Sequence, residues 1–182
     1  MMQKVLEYVL ANAEENNPSS ILETIDKFTI ESGEFLMNVG PEKGQILQSS
    51  LKKYNPMKVL ELGAFIGYSA ILIASTIEND AILFSIDSDQ NSINICQKMV
   101  NFAGLSNKIN FINATAESAI PELNHTFDFV FIDHAKKKYF SDLILLEESK
   151  LLKSNSVVFA DNVGIFADDM KEYLEHVRNS GV

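Results

Sequence analysis

An alternation of short apolar runs with helical segments, from residue 58 onward, constrains the fold of this 182-residue chain more than any other feature. Five runs have the length and composition of buried strands, at 58–62, 81–87, 108–113, 126–133 and 155–161. Helical patterns separate or follow them, at 67–77, 89–104, 139–150 and 167–178, with a short helix in AESAIPEL. Strands that alternate with helices form βαβ units, which build a parallel sheet with helices on both faces. The sequence therefore predicts an α/β fold.

The first 55 residues carry helical patterns but no strand pattern. Amphipathic spacing predicts helices at about 2–13, 19–33 and 42–53. A chain of 182 residues is long enough for one domain with a substantial core and short for two. We therefore expect a single domain over 1–182, in which a helical cap at 1–55 covers a site on the core at 56–182.

The charge and the cysteine content argue against several classes of function. The chain has 15 lysine and arginine residues against 25 aspartate and glutamate residues, a formal net charge of −10. Nucleic-acid binding needs a basic face, so we expect no nucleic-acid partner. The single cysteine, Cys96, rules out an internal disulfide and fits a reducing compartment, and no uncharged apolar stretch reaches membrane-spanning length. We expect a cytoplasmic protein without a membrane segment.

The first strand runs into ELGAFIGYS (61–69), the clearest candidate for a ligand-binding turn. Gly63 and Gly67 allow a tight turn that comes close to a ligand, and Asp87 ends the second strand, where a carboxylate can accept hydrogen bonds from both ribose hydroxyls. The spacing is not the G-x-G-x-x-G of dinucleotide sites, and the bulky residues between the glycines leave less room for phosphates. A compact nucleoside such as S-adenosylmethionine is therefore favoured. The alternative, open on these residues alone, is that the glycines only end the strand and Asp87 caps the next helix.

Polar residues also follow the fourth and fifth strands. Asp133 ends one, and Asp161 and Asn162 end the other. Because neighbouring parallel strands present their carboxyl ends at one edge of the sheet, we expect these side chains to lie close together. Two carboxylates and an amide are the hard oxygen donors that Mg²⁺ prefers, and no histidine or cysteine has zinc-ligand spacing. Metal ligation and simple helix capping stay equally open at this point.

Three lysines follow Asp133 in the segment FIDHAKKKYF. Lys136 lies three residues beyond Asp133, above the predicted metal site. A divalent cation disfavours a nearby ammonium group, so the pKa of Lys136 should fall and the amine could act as a general base for a hydroxyl. Lys137 and Lys138 are better explained as solvated loop residues, and His134 as a hydrogen-bonding loop residue.

Taken in order, these motifs resemble the Mg²⁺-dependent, S-adenosylmethionine-dependent catechol O-methyltransferases. The matching pieces are MNVGPEKGQI (37–46), VLELGAFIGYSA (59–70), NFAGL (101–105), FIDHAKKKY (131–139) and LLK…VVFADNV (151–163). They occur in family order and cover nearly the whole chain. The resemblance implies a Rossmann-like class I methyltransferase fold with strand order 3-2-1-4-5. It also implies methyl transfer from S-adenosylmethionine to one hydroxyl of a small catechol-type diol.

The resemblance assigns roles by position. Asp133, Asp161 and Asn162 would ligate Mg²⁺, and Lys136 would be the base. The cofactor-binding residues would be Val39, Gly63, Tyr68 and Ser69 at the methionine part, Asp87 at the ribose, Ala116 and Glu117 at the adenine, and again Asp133.

The chain departs from the family pattern at several positions. The adenine-packing tryptophan after Asp-His is replaced by Ala135, and Ala116-Glu117 stands where Ser-Gln is common. Phe35 would be the aromatic gate beside the acceptor, with Phe166 on the opposite wall.

The two antiparallel strands that close the sheet in the family have no counterpart here. We expect either a shortened chain or a second copy of the chain that covers the open edge of the fifth strand. A non-catalytic S-adenosylmethionine-binding protein is the alternative to an enzyme, and a nicotinamide-dependent reductase is a weaker third interpretation.

Overall fold

The structure is a computed structural model that describes residues 1–34 and 36–179. The proposed gate residue Phe35 therefore lies outside the described residues. Three helices come first, and helices then alternate with strands. The helices are α1 Met2–Asn12, α2 Pro18–Ser32, α3 Gly40–Tyr54, α4 Tyr68–Thr76, α5 Gln90–Phe102, α6 Ala116–Ala119, α7 Tyr139–Glu148 and α8 Lys171–Asn179. The strands are β1 Lys58–Leu62, β2 Ile82–Asp87, β3 Ile109–Asn113, β4 Phe127–Ile132 and β5 Leu152–Ala160.

The five strands form one parallel sheet in the order β3-β2-β1-β4-β5. This confirms the predicted α/β fold and strand order. The central strand β1 pairs with β2 on one side and with β4 on the other, for example Leu62 with Ile86 and with Ile132. All strands therefore end at the same edge of the sheet, where loops from several strands meet. Within the described residues β5 pairs only with β4, and its cover by a second copy stays a prediction.

Alternate residues of the strands face two separate hydrophobic layers. Val59, Phe129 and Phe131 belong to the layer that contains the buried residues of α1 to α5. Leu60 and Val130 belong to the opposite layer, which contains the buried residues of α6, α7 and α8. Both faces of the sheet are covered, which explains why the strands read as nearly continuous apolar runs.

The fifth strand begins earlier than the sequence predicts. Phe127 pairs with Leu152 but Phe129 pairs with Val157, so the register shifts between these pairs and β5 bulges. The Ser156 hydroxyl donates to the Phe127 carbonyl over 2.6 Å and accepts from the Lys153 amide over 2.7 Å. A bulge of this kind lets polar residues join an edge strand, and a regular alternation of residues does not predict it.

The segment predicted as the last helix, 167–178, divides into two parts. A short 3₁₀ turn, Ala167–Met170, precedes α8, and both pack beside α7. Among the residues that the structure describes, no helix has the length and apolar character that crossing a membrane requires.

Candidate active site

The loop after β1 passes so close to the end of β4 that only glycine fits at its first position. Gly63 has a φ of +102°, and a Cβ atom there would lie 2.7 Å from the Asp133 carbonyl oxygen and 3.1 Å from the His134 Cα. The Gly63 amide donates to the Ile86 carbonyl of β2 over 2.9 Å. The glycine thus lets the loop join the ends of three strands.

Asp87, at the end of β2, holds this glycine loop through its side chain. Its Oδ2 accepts from the amides of Ala64 and Phe65, over 2.9 and 3.1 Å, and its Oδ1 accepts from the Asp89 amide over 2.9 Å. The N-cap of α5 is Asp89, whose side chain accepts from Asn91. Helix capping is therefore the work of Asp89, and Asp87 instead orders the loop at the strand ends.

A small, partly open cleft lies between this loop and the segment that leads into α3. Its lining residues are Met37, Asn38, Val39, Gly63, Ala64, Phe65, Ile66, Tyr68, Ser69 and Asp133. The structure therefore brings together five of the predicted cofactor residues, Val39, Gly63, Tyr68, Ser69 and Asp133. The other three, Asp87, Ala116 and Glu117, do not line this cleft and lie at or beyond the ends of β2 and β3.

The residues predicted to surround adenine are differently exposed. Ala116, the first residue of α6, is buried in the core, whereas the Glu117 side chain is 71% exposed and forms an ion pair with Lys138 over 3.1 Å. Ala135, in place of the family tryptophan, is exposed. Of these three residues, one is therefore buried and two are exposed, and their contact with adenine stays a prediction.

Tyr68, the first residue of α4, connects the cleft to the N-terminal helices. Its hydroxyl donates to Asp26 of α2 over 3.1 Å. Burial raises the pKa of Tyr68, and the adjacent Asp26 carboxylate raises it further, so the phenol keeps its proton. Burial also raises the pKa of Asp26.

A buried carboxyl group, Glu61 of β1, lies behind the cleft and was not singled out from the sequence. Glu61 is completely buried, and the Ser85 hydroxyl donates to it. Burial raises its pKa to about 7; hydrogen bonding to Ser69 and Ser85 opposes the shift, and the charges of Asp133 and Asp87 add to it. The signal was present, because a glutamate in a strand whose two faces are both buried cannot be solvated.

Asp133 and Lys136 form the centre of the second part of the site. The Lys136 ammonium donates to Asp133 Oδ1 and to the Tyr139 hydroxyl, each over 2.7 Å. The Tyr139 hydroxyl in turn donates to the Asp161 carbonyl over 3.2 Å. Burial raises the pKa of Asp133, opposed chiefly by the hydrogen bond and charge of Lys136. Asp133 thus belongs both to the cleft and to this cluster.

Asp161 stands next to Asp133, because Ile132 pairs with Ala160 in the preceding row of the sheet. Its side chain is 7% exposed and accepts from the Lys43 ammonium over 2.5 Å. Its other oxygen accepts from the Asn162 amide over 2.7 Å, and Asn162 has a left-handed φ of +62°. The structure therefore places the two predicted carboxylate ligands, Asp133 and Asp161, at the ends of adjacent strands, and the ligation of a metal by them and by Asn162 stays a prediction. It adds Lys43, which the sequence did not indicate.

Lys137 and His134 of the same loop make no hydrogen bond to Asp133 or Asp161 within the described residues. Lys137 is exposed, as predicted, and His134 forms a hydrogen bond of 2.6 Å with Asp142 through Nε2, with its ring stacked on Tyr139. Within the described ranges, no three histidine, cysteine, aspartate or glutamate side chains form a metal-binding group. The predicted donor set differs, since it combines two carboxylates with the amide of Asn162.

Comparison with known proteins identifies the family. The O-methyltransferase family model matches residues 12–178. Catechol O-methyltransferase of Mus musculus is 38% identical over 98% of this chain and 68% of its own length, and that of Bos taurus is 38% identical over 98% and 66%. The chain therefore spans about two thirds of the length of the curated relatives that it matches.

Solved structures agree on the fold. The O-methyltransferase TomG of Streptomyces achromogenes, solved with S-adenosylmethionine, superposes with a TM-score of 0.76 at 21% identity, covering 93% of this chain and 80% of that one. An O-methyltransferase of Bacillus cereus, solved with S-adenosylhomocysteine, gives 0.74 at 19% identity, covering 87% and 79%. The sequence prediction of the family is confirmed: the chain belongs to the O-methyltransferase family of S-adenosylmethionine-dependent enzymes.

Proposed function

We propose that this protein transfers a methyl group from S-adenosylmethionine to one hydroxyl of a catechol-type diol, with Mg²⁺ bound and with Lys136 as the general base. The observation that carries the proposal is the double position of Asp133. This residue lines the cleft assigned to the methyl donor and also binds Lys136 over 2.7 Å. This double position supports a site in which donor and base would be held by one strand end, as a transfer between two bound molecules requires.

The cleft suits the methionine part of the donor. Ser69 and Asp133 contribute polar side chains to its lining, and Val39 and Tyr68 line it as well. Asp87 is proposed to hold the ribose, which requires that some of its bonds to the glycine loop be exchanged for bonds to the ribose hydroxyls. Ala116 and Glu117 are proposed to border the adenine, with the exposed Glu117 as the polar member of the pair.

The chemistry of the donor set fits a divalent cation. Asp133 and Asp161 are two largely buried carboxylates at adjacent strand ends, and each is already neutralised by a lysine. Buried carboxylates that need positive charge are suitable ligands for a hard cation, and Asn162 is proposed to complete the protein ligands. When bound, Mg²⁺ would acidify and orient the hydroxyl groups of the acceptor.

Lys136 is proposed to take the proton of the reacting hydroxyl. Tyr139 holds the Lys136 side chain in place: its hydroxyl accepts a hydrogen bond from Nζ, and the centre of its ring is 4.9 Å from Nζ. The reaction then forms a methyl–oxygen bond and breaks the methyl–sulfur bond of the donor. Three exposed apolar residues are proposed to pack against the aromatic ring of the acceptor: Met37, Ile165 and Phe166. A cytoplasmic location is proposed because Cys96 is a free, buried thiol.

The test is a methyl-transfer assay with catechol and S-adenosylmethionine, with Mg²⁺ or with EDTA, analysed by mass spectrometry. We expect a monomethyl ether only with Mg²⁺, and a rate about 10²–10⁴-fold lower for Lys136→Ala. Lys137→Ala is the matched control, because Lys137 is an exposed neighbour outside the cluster. Product formation by Lys136→Ala at the parental rate would reject Lys136 as the base. Tight binding of the donor without transfer to any diol would support the non-catalytic alternative.

A further inference from the structure

Lys43 is a second lysine of the site whose position calls for a function. It lies on α3 and binds Asp161, which is 118 residues later in the sequence, with Nζ 2.5 Å from Oδ2. In the first turn of a helix a cation is disfavoured by the helix dipole, so helix stability does not explain a lysine there. Its visible partner is the carboxylate of a proposed metal ligand.

The two lysines of the site are held differently. Lys136 has two hydrogen-bond partners, and its side chain is 19% exposed. Lys43 has one partner and is 40% exposed. Release of Lys43 into water therefore breaks one contact of a side chain that is already partly hydrated. Release of Lys136 would break its contact with the tyrosine as well.

Both oxygens of Asp161 are engaged, which makes binding of a cation a competition. Oδ2 accepts from Lys43 and Oδ1 accepts from the Asn162 amide. A divalent cation that takes Asp161 as a ligand needs one of these oxygens and repels the adjacent ammonium group. The amide is fixed in the backbone, but the lysine side chain can withdraw.

We propose that Lys43 is an internal competitor of the divalent cation. It holds the Asp161 carboxylate in place through their ion pair, leaves when a cation binds, and thereby lowers the affinity of the site for the metal. Lys43 is thus a positioning residue that acts through Asp161. This inference rests on the proposed metal-dependent function and concerns the affinity of the site for the metal.

The direct test is a titration with Mn²⁺, in which electron paramagnetic resonance measures the free ion. We expect Lys43→Gln to bind Mn²⁺ about fivefold more tightly than the parent, from the usual strength of a partly exposed ion pair. Lys43→Arg keeps the charge and should bind like the parent. Lys52→Gln, at an exposed position near the end of the same helix, controls for the loss of one positive charge and should also bind like the parent.

Thermal unfolding gives a second measurement that is independent of activity. In EDTA, Lys43→Gln should melt below the parent because the buried Asp161 has lost its cation, and Mn²⁺ should raise its melting temperature more than it raises that of the parent. Equal or weaker Mn²⁺ binding by Lys43→Gln would overturn the inference while leaving the proposed function intact. A parent protein that binds no Mn²⁺, with or without the donor, would instead reject the metal site itself.

Discussion

The substitution Gly63→Ala tests whether the close approach of the glycine loop to β4 organises the site. An added Cβ would lie 2.7 Å from the Asp133 carbonyl oxygen, 2.9 Å from its carbonyl carbon and 3.1 Å from the His134 Cα. All three are backbone atoms at the end of a central strand, so they cannot move aside as a flexible side chain would. The φ of +102° adds strain for any residue with a side chain.

Two terms make up the loss of unfolding free energy that we expect for Gly63→Ala. The positive φ costs on the order of 1–3 kcal/mol, and inserting a methyl group into a well-packed place typically costs about 1–3 kcal/mol more. Gly33→Ala separates these terms, because Gly33 also has a positive φ, of 65°, but nothing lies within 4 Å of its added Cβ. Gly33→Ala should therefore show about 1–2 kcal/mol of backbone strain alone. Gly63→Ala should exceed it by about 1–3 kcal/mol.

Urea unfolding followed by circular dichroism measures both free energies, and calorimetric titration with S-adenosylhomocysteine measures the cleft. Because Asp133 must shift to admit the methyl group, Gly63→Ala should also lose affinity for this ligand, whereas Gly33→Ala should keep it. Equal losses of stability in the two variants would show that the contact with Asp133 is loose. Parental ligand affinity in Gly63→Ala would show that the loop does not shape the cleft.

Three other substitutions test separate parts of the structure. Glu61→Gln should flatten the pH dependence of stability. Burial raises the pKa of Glu61 in the folded protein from 4.5 to about 7, so the parent loses roughly 3 kcal/mol of unfolding free energy as the pH rises through that interval. An unchanged pH dependence in urea titrations would contradict this. Asp26→Ala removes the hydrogen bond from the Tyr68 hydroxyl to Asp26 and should weaken S-adenosylhomocysteine binding about fivefold. Equal affinity in calorimetry would mean that this hydrogen bond does not position Tyr68. Lys108→Met removes a buried ammonium group that donates to the Ile77 carbonyl over 2.7 Å. Lys108 directly precedes β3 and so lies at the amino ends of the strands, away from the cleft. The substitution should cost about 1–3 kcal/mol of stability with ligand affinity unchanged, and a protein as stable as the parent would refute the role of that bond.

The architecture was predictable because burial on both faces leaves a strong trace in the sequence. The strands β1 and β2 begin and end within one residue of the predicted positions, and the glycines and acids at their ends mark the site edge. In contrast, the start of β5 was missed because Lys153 to Ser156 are polar. Their pairing is a bulge closed by the Ser156 hydroxyl, which no periodicity predicts.

The site was predictable where its residues are close in sequence or end neighbouring strands. Asp133 and Lys136 are three residues apart, and Asp161 follows the adjacent strand, so sheet topology alone brings them together. Lys43 was missed because its contact depends on how α3 packs, and a lysine on an amphipathic helix is ordinarily solvated. Asp26 was missed for the same reason, since its partner Tyr68 is 42 residues away.

The long reach of the Lys43–Asp161 pair bears on the order in which the protein becomes competent during synthesis. Every residue that lines the donor cleft lies at or before Asp133 in the sequence. The Lys43–Asp161 pair instead joins residues that are 118 positions apart. Contacts of such large separation form late, because the intervening chain must first be ordered. We expect a nascent chain to gain its proposed nucleoside site first and its proposed acceptor site only when β5 has docked. Under the proposed function, a chain that stalls on the ribosome before that point should bind the methyl donor without transferring its methyl group.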